Sequence, residues 1–122
     1  MCPCGSNLDY SLCCMPYHQA KKIAESPLLL MKSRYSAYVM ADADYILKTT
    51  APTKVKLYRK GDILKWANSS KWLKLEILYS GEQTVEFKAH YFNEKMQLQI
   101  HHERSNFQLL NGKWYYFDAD FF

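Results

Sequence analysis

Beyond position 14 the 122-residue chain contains no cysteine. All four of its cysteines, Cys2, Cys4, Cys13 and Cys14, lie in the opening stretch CPCGSNLDYSLCC. Disulfides and thiolate metal sites are thereby excluded from the main body. Glycine and proline are scarce, four of each, which argues for long regular elements and few tight turns. No apolar run approaches the roughly 18 residues of a membrane span; the longest obvious one is Leu28–Met31. The N-terminus lacks the basic and then apolar segments of a secretory signal. Together these absences give the expectation of a cytoplasmic protein without a membrane span. The net charge is only +4, so a strongly basic nucleic-acid-binding chain is not indicated by charge alone. There is no internal repeat, no low-complexity segment and no C-x-x-C redox pair.

What is abundant is aromatic: ten Tyr, six Phe and three Trp make 16% of the residues. Hydrophobic residues at 48% and charged residues at 23% are ordinary for a globular chain, and the length suits one domain with a small appendage. The boundaries are placed at 1–20 for the cysteine-bearing appendage and 21–122 for the main domain.

The cysteines pair by spacing: C-x-C, eight residues, then C-C. In a reducing compartment, disulfides across this loop are disfavoured. An iron–sulfur cluster would also use four thiolates, but adjacent Cys13-Cys14 does not match its usual runs. A single tetrahedral Zn2+ held by Cys2, Cys4, Cys13 and Cys14 is the preferred reading. With all four positions filled by protein, such an ion is structural, and binding it supplies the folding free energy of a segment too short to bury a core. Pro3 stiffens the first pair and Gly5-Ser6 suits a tight turn. His18, four residues after Cys14, is a candidate substitute ligand; the plainer expectation is an exposed histidine past the end of the knuckle.

The run C-P-C-G-S with C-C at 13–14 resembles the SEC-C motif, a small zinc knuckle. The segments M-P-Y-H, L-M-K-S-R-Y-S-A-Y-V, D-A-D-Y-I-L-K-T, H-E-R-S-N-F and N-G-K-W-Y-Y-F-D are similar to the YchJ family. That resemblance extends through essentially the whole chain. It implies an N-terminal SEC-C knuckle with zinc at the four cysteines, joined to a nuclear-transport-factor-2-like (cystatin-like) α+β domain. It implies no activity. Residues 5–12 contain no Lys or Arg, and Asp9 is their only charge. This separates the loop from the lysine-rich SEC-C knuckle of the protein-export motor SecA and from its anionic partners.

Periodicity gives an independent account of the main domain. Ser26-Pro27 is a helix start, and Leu28, Met31, Tyr35, Tyr38 and Val39 form one apolar stripe. Asp42 or Asp44 caps a shorter helix carrying Tyr45, Ile46 and Leu47, which Pro52 ends. A third helix is predicted from about Lys54 to Trp66, basic through Lys54, Lys56, Arg59, Lys60 and Lys65. After Asn68 the period changes to two. Leu73, Leu75, Ile77 and Tyr79 are placed on one face of a strand, and Val85, Phe87, Ala89 and Tyr91 on one face of the next. A third strand spans Gln97–Phe107, and Asn111-Gly112 turns into a fourth over Trp114–Asp118. Helices followed by an antiparallel meander indicate an α+β fold, with helices on one face of a curved four-stranded sheet.

A cone between helix and sheet is the default ligand site. On the third strand His101, Glu103 and Ser105 share one face, and His102 and Arg104 the other. Leu98 and Ile100 lie on the latter face, so it is the face expected to point inward. The pocket candidates are therefore His102 and Arg104, with Asp44 or Asp118 as the partner an inward arginine needs; no residue is assigned as catalytic. Three functions are considered: an adaptor for a protein or ribosomal partner using the knuckle, a ligand-binding or acid/base pocket in the cone, and RNA contact through helix 54–66. A homodimer through the outer face of the sheet is a further expectation.

Overall fold

A computed structural model describes all 122 residues. A 3-10 turn at Tyr10–Leu12 and a short helix α1, Met15–His18, complete the cysteine-bearing segment. Helices α2 (Pro27–Val39), α3 (Ala43–Lys48) and α4 (Lys60–Ser69) follow. Strands β1 (Lys71–Ser80), β2 (Thr84–Phe92), β3 (Leu98–Leu110) and β4 (Lys113–Phe121) close the chain as an antiparallel meander in the order β1-β2-β3-β4. The α+β class and the four-stranded sheet are as expected, and no helix is long and apolar enough to cross a membrane.

Local chemistry explains the helix starts. The Ser26 hydroxyl accepts from the Leu29 amide at 3.2 Å, with Pro27 at the first helical position. The Asp42 carboxylate accepts from the Tyr45 amide at 3.1 Å and so caps α3. Each interaction satisfies an amide that the first turn leaves without an intrahelical partner. The Asn111-Gly112 turn has both residues at positive φ, 51° and 81°, as a two-residue hairpin requires.

The third predicted helix is not continuous. Val55–Leu57 forms a single 3-10 turn, Tyr58 is extended, and α4 begins only at Lys60. The chain leaves helical geometry where the Tyr58 ring packs on Tyr116, with ring centroids 6.4 Å apart. Tertiary packing overrides propensity here. The five cations consequently share no single helical face. Lys54 lies over the Phe117 ring at 4.7 Å, and Lys60 pairs with Asp44 at 3.0 Å.

The first strand also departs from a simple alternation. Irregularities between Trp72 and Lys74 and between Ile77 and Tyr79 reset its register. Trp72, Leu75 and Ile77 pack on the core, while Leu73 and Tyr79 turn outward, 46% and 52% exposed. Bulges of this kind bend a sheet. The main core lies where the sheet meets α2, around Leu30, Met31, Tyr35, Val85, Phe87 and Phe107. Complete burial of a side chain such as Leu30 contributes on the order of 2 kcal/mol. A second cluster, Ala37, Ala43, Ile46 and Ile63, locks α3 and α4 onto α2.

Candidate functional site

Gly5, at φ +90°, turns the chain so that the first cysteine pair faces the second. The ligand atoms of Cys2, Cys4, Cys13 and Cys14 all lie within 4.8 Å of one another. Cys4 and Cys13 sulfurs are 3.6 Å apart, and those of Cys13 and Cys14 are 4.0 Å apart. A tetrahedral ion with Zn–S bonds of ~2.3 Å places its sulfurs ~3.8 Å apart, so the donor set fits one such ion. None of the four is in a disulfide.

Supporting groups surround the thiols. The Ser6 hydroxyl donates to Cys13 Sγ at 3.0 Å, and the Ser36 hydroxyl, from α2, donates to Cys14 Sγ at 3.2 Å. Donors of this kind stabilise thiolate charge and orient the ligands. Hydrogen bonding from Cys14 holds the Cys4 thiol down to about 4, against burial, with Ser6 and Cys13 adding to the effect. The same Cys4–Cys14 hydrogen bond, together with burial, pushes Cys14 up.

The knuckle is docked rather than projecting. Cys2, Cys4 and Cys14 are at most 4% exposed. Cys14 Sγ approaches the Lys32 carbonyl at 3.8 Å. His18 is neither a substitute ligand nor an exposed residue. Its Nδ1 meets the Tyr10 hydroxyl at 2.6 Å and its Nε2 meets the Ser33 carbonyl at 2.7 Å. Both ring nitrogens are engaged, so the imidazole rivets the knuckle to α2.

On the opposite side of α2 a cavity of about 250 Å³ opens between α2, α4 and the concave sheet face. Tyr38, Trp66 and Trp72 form its aromatic wall, with centroid separations of 5.1 Å for Tyr38–Trp66 and 5.3 Å for Trp66–Trp72. The polar residues facing it are not the expected ones. Glu103 and Ser105 are 8% and 0% exposed, whereas Leu98 and Ile100, on the face expected to be inner, are 59% and 51% exposed. Pairing with β2 fixes the register: Ala89, Phe87 and Val85, all buried, lie opposite His101, Glu103 and Ser105. The face carrying His102 and Arg104 is therefore the outer one.

The former candidates are accounted for there. His102 Nε2 pairs with Glu86 at 2.8 Å, and Arg104 is an exposed residue whose guanidinium lies over Tyr79 at 5.7 Å. Asp44 is solvent-exposed and pairs with Lys60, and Asp118 accepts from Asn106 at 2.9 Å; neither is the partner of a buried arginine. At the cone His101 Nε2 meets Glu103 Oε1 at 2.8 Å, and from behind it the buried Ser105 hydroxyl donates to Glu103 Oε2. Arg34 is the buried cation, 5% exposed. Its signal was present in the sequence: positions 31, 34, 35 and 38 form one helical stripe, and one member is charged.

The comparisons with known proteins agree with this geometry. Residues 26–119 match the family model described as YchJ, middle NTF2-like domain, and residues 1–16 match the SEC-C motif. A UPF0225 protein of Actinobacillus succinogenes is 37% identical over 125 residues, covering 98% of this chain and 80% of that protein. One from Haemophilus influenzae is 39% identical over 122 residues, covering 96% of this chain and 75% of that protein. The solution structure of a SEC-C motif containing protein from Rhodopseudomonas palustris superposes with TM-score 0.91 at 39% identity, covering 98% of this chain and 96% of that one. The crystal structure of a SEC-C motif containing protein from Psychrobacter arcticus gives TM-score 0.83 at 34% identity, covering 97% of this chain and 80% of that one.

Proposed function

The chain belongs to the YchJ family, and from that premise we propose that it is a small-ligand-binding protein whose knuckle, closed by one structural Zn2+, braces the helix that roofs the pocket. Cys2, Cys4, Cys13 and Cys14 would hold the ion, which leaves no open position for chemistry and serves folding alone. The observation that carries the binding reading is the cone itself. Its volume of about 250 Å³ lies near the small end of ligand pockets, roughly 300–1,000 Å³. Its wall is apolar and aromatic, yet Glu103 and His101 face it from β3, with Ser105 buried behind Glu103. A strand that lays a histidine and a carboxylate along this apolar wall gives up hydrophobic burial there, which favours a ligand-binding interior over a purely structural one.

The test measures metal and pocket together. The purified protein is expected to contain one zinc per chain, and naphthalene to quench tryptophan emission through Trp66 and Trp72. Ala89→Phe, which fills the cone from the sheet, is expected to abolish quenching without loss of zinc. Substoichiometric zinc would overturn the metal assignment, and unchanged emission with naphthalene would overturn the pocket. A protein partner on the knuckle is the second reading, favoured by Leu8 and Leu12, which are 51% and 69% exposed beside the metal site.

A further inference from the structure

Arg34 is held on one edge and free on the other. Its Nη1 contacts the Ile46 carbonyl at 3.0 Å, Thr49 Oγ1 at 2.7 Å and Thr50 Oγ1 at 3.3 Å, all at the C-terminal end of α3. The guanidinium carbon lies 4.6 Å from the centroid of the Tyr116 ring, which covers one face. No carboxylate is within ion-pair distance. The molecule's four pairs are Lys60–Asp44, His90–Glu76, His101–Glu103 and His102–Glu86. Nε and Nη2 donate to no protein atom. Since no fully enclosed side-chain nitrogen or oxygen in the molecule lacks a partner, these two nitrogens border open space. The open space that Arg34 lines is the cone.

A guanidinium stays charged at any accessible pH, and burying it without a counter-charge is unfavourable. The cone's own buried carboxylate does not serve, because both oxygens of Glu103 are already engaged, by His101 and Ser105. Asp62 also lines the cone but is solvent-exposed. The free edge, Nε with Nη2, presents two parallel N–H donors, the arrangement that matches the two oxygens of a carboxylate. A single cation suits a single negative charge, and the surrounding Trp66, Trp72 and Tyr38 suit a flat ring.

We propose that the cone takes a small ring-bearing organic carboxylate, whose carboxylate pairs with Nε and Nη2 of Arg34 and whose ring lies among Trp66, Trp72 and Tyr38. This rests on the reading of the cone as a ligand pocket, and the test separates the two. The zinc-loaded protein is titrated with 2-naphthoate, 2-naphthalenemethanol and 2-naphthylmethylammonium, which share a ring and differ in charge, and tryptophan emission is followed. The expected result is that 2-naphthoate binds roughly tenfold or more tighter than either of the others. In Arg34→Gln the acid and the alcohol are expected to converge to within about twofold, and Arg34→Lys to retain a reduced preference for the acid. The charge series on the wild-type protein decides the matter even if Arg34→Gln does not fold. Equal binding of acid and alcohol, or preference for the amine, would overturn the carboxylate assignment and leave the pocket standing. Absence of quenching by all three would overturn both.

Discussion

The knuckle brings four thiols within 4.8 Å of one another, whereas the cone on the far side of α2 keeps about 250 Å³ open between aromatic rings. One region is condensed around a point and the other is built around a space. They nevertheless share a helix. The Lys32 and Ser33 carbonyls and the Ser36 hydroxyl face the knuckle, while Met31, Arg34, Tyr35 and Tyr38 face the cone. Ser33 and Ser36 are wholly buried, so α2 has no broad solvated face in its middle turns. The lesson is one of division of labour. A segment of some twenty residues has too little apolar surface to fold alone, and under the proposed reading a metal supplies the difference, whereas the main domain is sustained by burial and can leave part of its interior empty.

The sharpest way to break this contrast is to remove the metal. In Cys14→Ser, or on chelation, the zinc is expected to be lost and residues 1–20 to become accessible to protease, while the near-ultraviolet signal of Trp66 and Trp72 persists. Acidification is expected to act in the same way, because protons compete with metal for the thiolates. If the cone signal collapses with the knuckle, the two regions are one cooperative unit and the contrast fails.

The alkaline side should bear on the cone and on the joint beneath the knuckle. Burial pushes Tyr35 up to about 12 and raises Tyr38 and Tyr116, which line the cone, and it also raises Tyr45, Tyr10 and Tyr17 on the knuckle side. A raised folded-state pKa means stability that is fully present below the unfolded value near 10 and lost as pH rises toward the folded value. For Tyr35 alone the loss is on the order of 2 kcal/mol. Absorbance titration of the tyrosines, with circular dichroism in parallel, is expected to show unfolding beginning above pH ~10. Tyrosines that all ionise near that pH without unfolding would contradict it.

The smallest effect tests the joint between the regions. His18→Phe removes both hydrogen bonds of the imidazole, to Tyr10 and Ser33, while keeping a ring against Tyr45, whose centroid lies 4.7 Å away. A loss of about 1 kcal/mol in denaturant unfolding is expected, with zinc content unchanged. Loss of zinc in this variant would instead make His18 part of the metal site's support.

Some of this was legible in residue order alone. The thiol spacing is local, so Cys2, Cys4, Cys13 and Cys14 are neighbours within one short segment of the chain. Ser26-Pro27, Asp42 and Asn111-Gly112 likewise act on their immediate neighbours, and the helix starts and the last hairpin follow from them. The shared face of His101, Glu103 and Ser105 is a consequence of strand geometry, whatever the surroundings. Which face looks inward is not local. Leu98 and Ile100 misled because apolar residues at a strand end can lie outside the core, and only pairing with Val85, Phe87 and Ala89 fixed the choice. The break at Tyr58 needed Tyr116 from the last strand, and the outward turn of Tyr79 needed two bulges.

The sequence by itself thus determined the cluster of four cysteines, the helix caps, the hairpin and the α+β order, because each is decided within a few residues. Only the tertiary structure turned Glu103 inward, sent Arg104 outward and joined Arg34 to the end of α3, because those outcomes depend on strands and helices distant in the chain. The free edge of that arginine exists only where α2, α3 and β4 meet.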